Sequence, residues 1–170
     1  ELLVPCAAVI CADTAEITHL NIKDGGGRYG ANVLIRGTEA TVIGLTTSNS
    51  VECGLTIDED ARLTESSTQI VATQNGTYPV CAEATNAHTL PTEDSSYTGN
   101  QFDGIYIHVQ DDVSEQVTWE DLGVPYAVFG RMRMEGVAGS PAILTVTEGT
   151  TVAFDEERGL FLSGKGGSSG

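Results

Sequence analysis

Ile70-Val-Ala-Thr-Gln-Asn75-Gly-Thr-Tyr-Pro-Val80-Cys-Ala82 is followed, one step of 25 residues later, by Ser95-Ser-Tyr-Thr-Gly-Asn100-Gln-Phe-Asp-Gly-Ile105-Tyr-Ile107. The step carries Asn75 to Asn100 and the patch Val80-Cys81-Ala82 to Ile105-Tyr106-Ile107. Working outward, a step of 28 carries Val42 to Ile70, Gly44 to Ala72 and Cys53 to Cys81. A step of 22 carries Leu20 and Ile22 to Val42 and Gly44, and Val33 and Ile35 to Leu55 and Ile57. Short β-like patches that move together through a variable step are the mark of a coiled β-solenoid, because turn length varies while the faces of the rungs stay stacked. The spacing therefore predicts an all-β chain.

The rest of the chain agrees. No window sustains an i, i+3, i+4 apolar pattern, and Gly, Thr, Val and Ile punctuate the whole sequence. Strands are expected at 18–22, 33–35, 40–45, 54–57, 68–72, 105–109, 127–134, 143–146, 151–154 and 160–162, where branched residues alternate with polar ones. The best helical candidate is Thr118 to Leu122, closed by Gly123 and Pro125. Near Gln110 the period breaks. Residues 111–126 are polar, hold the only Trp and end in a Pro turn, so they read as an irregular insertion before a second run of coils. One domain over 1–170 accommodates all of this, with a flexible Gly/Ser tail at 164–170. Glu1 and the Gly-Ser end make the chain read as a fragment of a longer stack. Gly25-Gly26-Gly27 is a turn; it lacks the following helix and Lys of a phosphate-cradling loop. Asn75 and Asn100 are expected to stack at a corner, satisfying one another's amides and tolerating left-handed backbone.

Charge limits the partners. With 24 acidic against 8 basic residues the net charge is −16, which argues against nucleic acid, anionic membrane surfaces and polyanionic sugars. A cation, a neutral glycan or another surface protein fits better. No run of about 18 apolar residues is present, so no membrane span is coded, and Leu2 to Ala12 lacks the basic start of a signal peptide.

The four cysteines form no C-x-x-C pair, and no His stands at zinc-finger spacing. The step of 28 would put Cys53 and Cys81 at equivalent places on adjacent strands, about 4.8 Å apart and within disulfide reach. Cys6 and Cys11 could pair locally. Two bridges imply an oxidising compartment; the alternative is four buried free thiols.

Several stretches together resemble right-handed parallel β-helix repeat proteins of the pectin-lyase-like type, secreted or lipid-anchored in bacteria. They are Ala15-Glu-Ile-Thr-His-Leu-Asn-Ile-Lys-Asp-Gly-Gly26, Ser95-Ser-Tyr-Thr-Gly-Asn100 with Asp103-Gly-Ile-Tyr-Ile-His-Val109, Trp119 with Leu122-Gly-Val-Pro-Tyr126, and Ala142 to Phe154. The resemblance covers about residues 15–166 and concerns architecture. It implies export and display at the bacterial cell surface or outside the cell. Such folds also include polysaccharide lyases and glycoside hydrolases. Of the hydrolase motifs, only Asp111-Asp112 matches, and adjacent strand residues point to opposite faces. A lyase would need a basic residue, for which Arg131 and Arg133 are nearest; they also read as the exposed side of a strand whose other side holds Met132 and Met134.

Carboxylate clusters at predicted turns, including Asp58, Asp60 and Asp155, have the oxygen-rich character calcium prefers, without an EF-hand or Gly-Gly-x-Gly-x-Asp pattern. Otherwise no metal site or cofactor is expected, and the three histidines, His19, His88 and His108, are scattered. Trp119 and Tyr126 could form a sugar-stacking platform or pin the loop to the coil wall. The expectation is a non-catalytic extracellular or cell-surface β-helix module, acting as a scaffold, in adhesion or in ligand binding. The alternative is a carbohydrate-active β-helix enzyme, a polysaccharide hydrolase or lyase, using Asp111 and Asp112 with Arg131 or Arg133.

Overall fold

The computed structural model describes residues 8–10, 14–27, 30–109, 112–137, 139–156 and 158–164. They form an all-β parallel solenoid of about six turns. One flat face is a seven-stranded parallel sheet made of β1 (Ala8–Ile10), β3 (Val33–Arg36), β5 (Leu55–Asp58), β8 (Val80–Glu83), β9 (Ile105–His108), β11 (Tyr126–Phe129) and β14 (Val152–Phe154), stacked in that order. A second sheet joins β2 (Thr14–Lys23), β4 (Glu39–Ser48), β6 (Arg62–Leu63) and β7 (Thr68–Thr73). Later coils complete their walls with β10 (Gln116–Trp119) on β13 (Ile143–Val146), and β12 (Met132–Gly136) on β15 (Leu160–Gly164). The sole helical element among the described residues is a single 3-10 turn at Ala87–Thr89.

Alternation builds the core. In the seven-stranded sheet Val33, Ile35, Leu55, Ile57, Val80, Ala82, Ile105, Ile107 and Val128 point inward and are fully buried, while the residues between them face out. Parallel strands need every turn to bring the chain back over itself, so each inward position stacks on its equivalent in the coils before and after.

Left-handed residues mark the corners. His19, Gly44, Gln69 and Asp94 all have φ between 50° and 70°, each 25 residues after the last. Asp24, Asn49, Gln74 and Gly99 form a second such series at the same interval. A kink repeated at one height over four successive coils keeps these corners aligned. Beside the second series runs a ladder of side-chain bonds. The Ser50 N–H donates to Asn75 Oδ1 at 3.1 Å, and the Asn75 N–H and Nδ2 donate to Asn100 Oδ1 at 3.1 and 2.8 Å. The asparagines therefore do satisfy one another, but the left-handed backbone is carried by Gln74 and Gly99, one residue earlier.

Several expectations need correction. The steps of 22 and 28 in the second sheet are both 25: Leu20 pairs with Leu45 and Leu45 with Ile70, while Ile22 pairs with Thr47 and Thr47 with Ala72. The kinks at His19, Gly44 and Gln69 reset the apolar alternation, so matching by hydrophobicity slips by three. The step of 22 from Val33 to Leu55 holds, as does 25 from Val80 to Ile105. Cys53 and Cys81 are bonded, with Cα atoms 5.9 Å apart, but not from equivalent places: Cys81 stands beside Thr56, and Cys53 reaches it diagonally. Residues 116–119, expected to be irregular or to start a helix, form β10. The expected strand 127–134 is two strands, divided at Gly130, whose φ is 130°. Cys6, Cys11 and residues 165–170 of the tail lie outside the described residues.

Candidate functional site

The last residues of β3, β5, β8, β9 and β11 lie in one column along the seven-stranded sheet. Arg36 pairs with Asp58, and Glu83 with His108, which pairs with Phe129. Ile57 pairs with Ala82, so Glu83 follows Asp58 in the same column. All lie on the outward side, because the inward residue precedes each by one. Three consecutive rungs thus bring two carboxylates and an imidazole together. His108 Nε2 stands 3.6 Å from Asp58 Oδ1 and 3.7 Å from Glu83 Oε1, and the three donor atoms all lie within 4.8 Å of one another. The group could hold a metal ion.

The surroundings divide the two acids. Burial acts to raise Asp58, but hydrogen bonds with Arg36 and Glu83 and the Arg36 charge outweigh it and leave Asp58 below the usual carboxylate range. Arg36 Nη2 donates to Asp58 Oδ2 at 2.8 Å. Glu83 moves the other way: burial and then the hydrogen bond with Asp58 push it up, although the Glu59 N–H donates to Glu83 Oε1 at 3.4 Å. Burial holds His108 below the ordinary imidazole value, against the pull of Asp58. Side-chain exposures of 15% for Asp58, 10% for Glu83 and 23% for His108 leave the group partly screened yet open to solvent.

An aromatic shelf borders this column. Tyr106, two residues before His108 and on the same outward side of β9, stacks on Phe129 at 4.6 Å between ring centroids and 20° between planes. Tyr78 joins it at 5.2 Å and Phe102 joins Tyr78 at 5.3 Å. The Tyr106 ring lies 6.3 Å from the His108 ring. Tyr78, Tyr106 and Phe129 are half-buried and Phe102 is exposed, so the run is partly open to solvent, most of all at Phe102.

The expected site residues fall elsewhere. Trp119 and Tyr126 are brought together, stacked at 4.7 Å, but at 0% and 1% exposure they are core, and Tyr126 Oη donates to the Glu120 carbonyl at 2.9 Å. They offer no shelf to a ligand and pin the wall instead. Asp111 lies outside the described residues; Asp112 meets Arg133 at 3.3 Å on the exposed surface. Arg131 covers the Phe161 ring at 4.5 Å, and Met132 and Met134 are buried behind the two arginines. Of the acidic candidates Asp58 enters the column, whereas Asp60 and Asp155 are exposed outside the grouped donors. A separate open groove of about 460 Å³ lies near the 3-10 turn, with Glu65, His88, Glu93 and Glu120 in its lining.

Glu83 and His108 were missed, although their signal was present. The step of 25 that aligns Val80-Cys81-Ala82 with Ile105-Tyr106-Ile107 aligns Glu83 with His108 when extended by one residue. Compared with known proteins, the chain matches no family model, no curated protein and no solved structure.

Proposed function

We propose that this chain is a non-catalytic β-solenoid module, displayed outside the cell, that binds an uncharged glycan along the aromatic shelf. The carrying observation is the open run Phe102, Tyr78, Tyr106 and Phe129 beside a polar column. Sugar rings stack on aromatic faces through their C–H surfaces, while their hydroxyls need fixed acceptors and donors close by. The aromatic run, exposed at Phe102, supplies apolar ring surface, and Asp58, Glu83 and His108 supply the polar groups. The net charge of −16 disfavours uronates and sulfated sugars. The Cys53–Cys81 bond supports an oxidising compartment and with it a secreted or surface location.

A neutral-glycan array followed by calorimetry tests this reading. A hit whose affinity falls at least about tenfold in Tyr106→Ala, with an unchanged circular dichroism spectrum, is the expected result. Failure of every neutral glycan to bind would leave the scaffold role alone. A second reading, a carbohydrate-active enzyme, is favoured by two carboxylates from adjacent rungs beside that shelf. Release of reducing ends or unsaturated products, abolished in Asp58→Asn, would replace the binding module with an enzyme.

A further inference from the structure

We propose that Asp58, Glu83 and His108 bind a first-row divalent transition ion, with zinc the best fit. The inference stands on geometry; it uses the same three polar groups as the glycan reading but does not require that a glycan binds. The imidazole nitrogen lies 3.6 and 3.7 Å from the two carboxylate oxygens. That is too long for hydrogen bonds, which close at about 2.7–3.2 Å. It is near the separation of about 3.4 Å between ligands that share a tetrahedral ion through bonds of about 2.1 Å. Small side-chain movements on fixed rungs would bring all three onto one ion.

The setting supplies the outer contacts such a site needs. Arg36 Nη2 holds Asp58 through Oδ2, at 2.8 Å, and so turns Oδ1 towards His108. The Glu59 N–H approaches Glu83 Oε1 at 3.4 Å. Such second contacts fix the orientation of ligating carboxylates. The donor set decides the metal. One imidazole nitrogen with two carboxylate oxygens suits zinc and its neighbours, whereas calcium takes six to eight oxygens and magnesium keeps most of its waters. Three protein ligands leave a position for water or a bound ligand, and the partial exposure of the column gives it access.

The test uses the whole chain, stripped with a chelator and with remaining thiols alkylated so that Cys6 and Cys11 cannot contribute. Calorimetry with zinc chloride should show one equivalent bound, and the melting temperature should rise with zinc concentration. Cobalt(II) should give the visible absorption of a tetrahedral site. His108→Ala and Glu83→Gln should each weaken zinc by about tenfold or more, while His19→Ala leaves it unchanged. Absence of one-to-one binding would overturn the site, as would zinc affinity unaltered by both variants. Calcium binding more tightly than zinc would overturn the choice of metal.

Discussion

Asn75 shows how one side chain ties three coils. It is 2% exposed, accepts from the Ser50 N–H of the preceding coil and donates to Asn100 of the next. Asn75→Ala strands a buried N–H and removes the amide donor to Asn100, so we expect a loss of about 2–3 kcal/mol in urea unfolding. A change under about 0.5 kcal/mol would show that water replaces the amide there. His88 gives a pH dependence with a defined sign. Burial, and then the Arg62 charge, hold its imidazole below the ordinary value, against the opposing charge of Glu115. The folded chain therefore binds this proton less readily than the unfolded chain does. Its contribution to stability is present above about pH 6.5 and is lost as pH falls through the folded value. The stability difference between the native chain and His88→Gln should shrink on acidification from pH 8 to pH 5; a difference that grew would reverse the assignment.

At the scale of the strand, the left-handed corners carry a cost that glycine relieves. Gly44 has φ of 70°, and a Cβ there would meet His19 Nδ1 at 3.0 Å, while Gln69 holds the equivalent corner with φ of 58°. Gly44→Val should destabilise by about 1–2 kcal/mol or more, and Gln69→Gly should be neutral or stabilising. Thermal melts of the pair check both signs, and equal losses at both positions would refute the corner argument. These corners also explain what could be read from the sequence. In Val33-Leu34-Ile35 and Leu55-Thr56-Ile57 the inward residues alternate without interruption, so register is legible by eye. In β2, β4 and β7 a left-handed residue lies inside the strand, and the alternation breaks where the pairing must be counted. The candidate site was legible only in part, since Asp58 lies in an acidic run but Glu83 and His108 stand alone in sequence. Stacking, not spacing along the chain, makes them neighbours. Trp119 looked available because it sits in a polar segment, yet Val117 and Trp119 alternate inward as β10.

For the whole molecule, stability is a sum over neighbouring coils, and the Cys53–Cys81 bond fastens one such pair. Cys53→Ser should cost about 2–4 kcal/mol under non-reducing conditions. Reductant should lower the unfolding midpoint of the native chain and leave that of the variant unchanged; equal responses would sever the bond from stability. The 25-residue interval of the left-handed corners, kept from His19 to Asp94 and from Asp24 to Gly99, has a bearing on ancestry. A gene segment encoding one full interval can be gained or lost and the corners on either side still meet in register. A slip of one codon turns every inward side chain of the following strand outward. Within this part of the chain, inheritance is free to change length by the coil, while smaller changes are confined to loops outside the repeating corners.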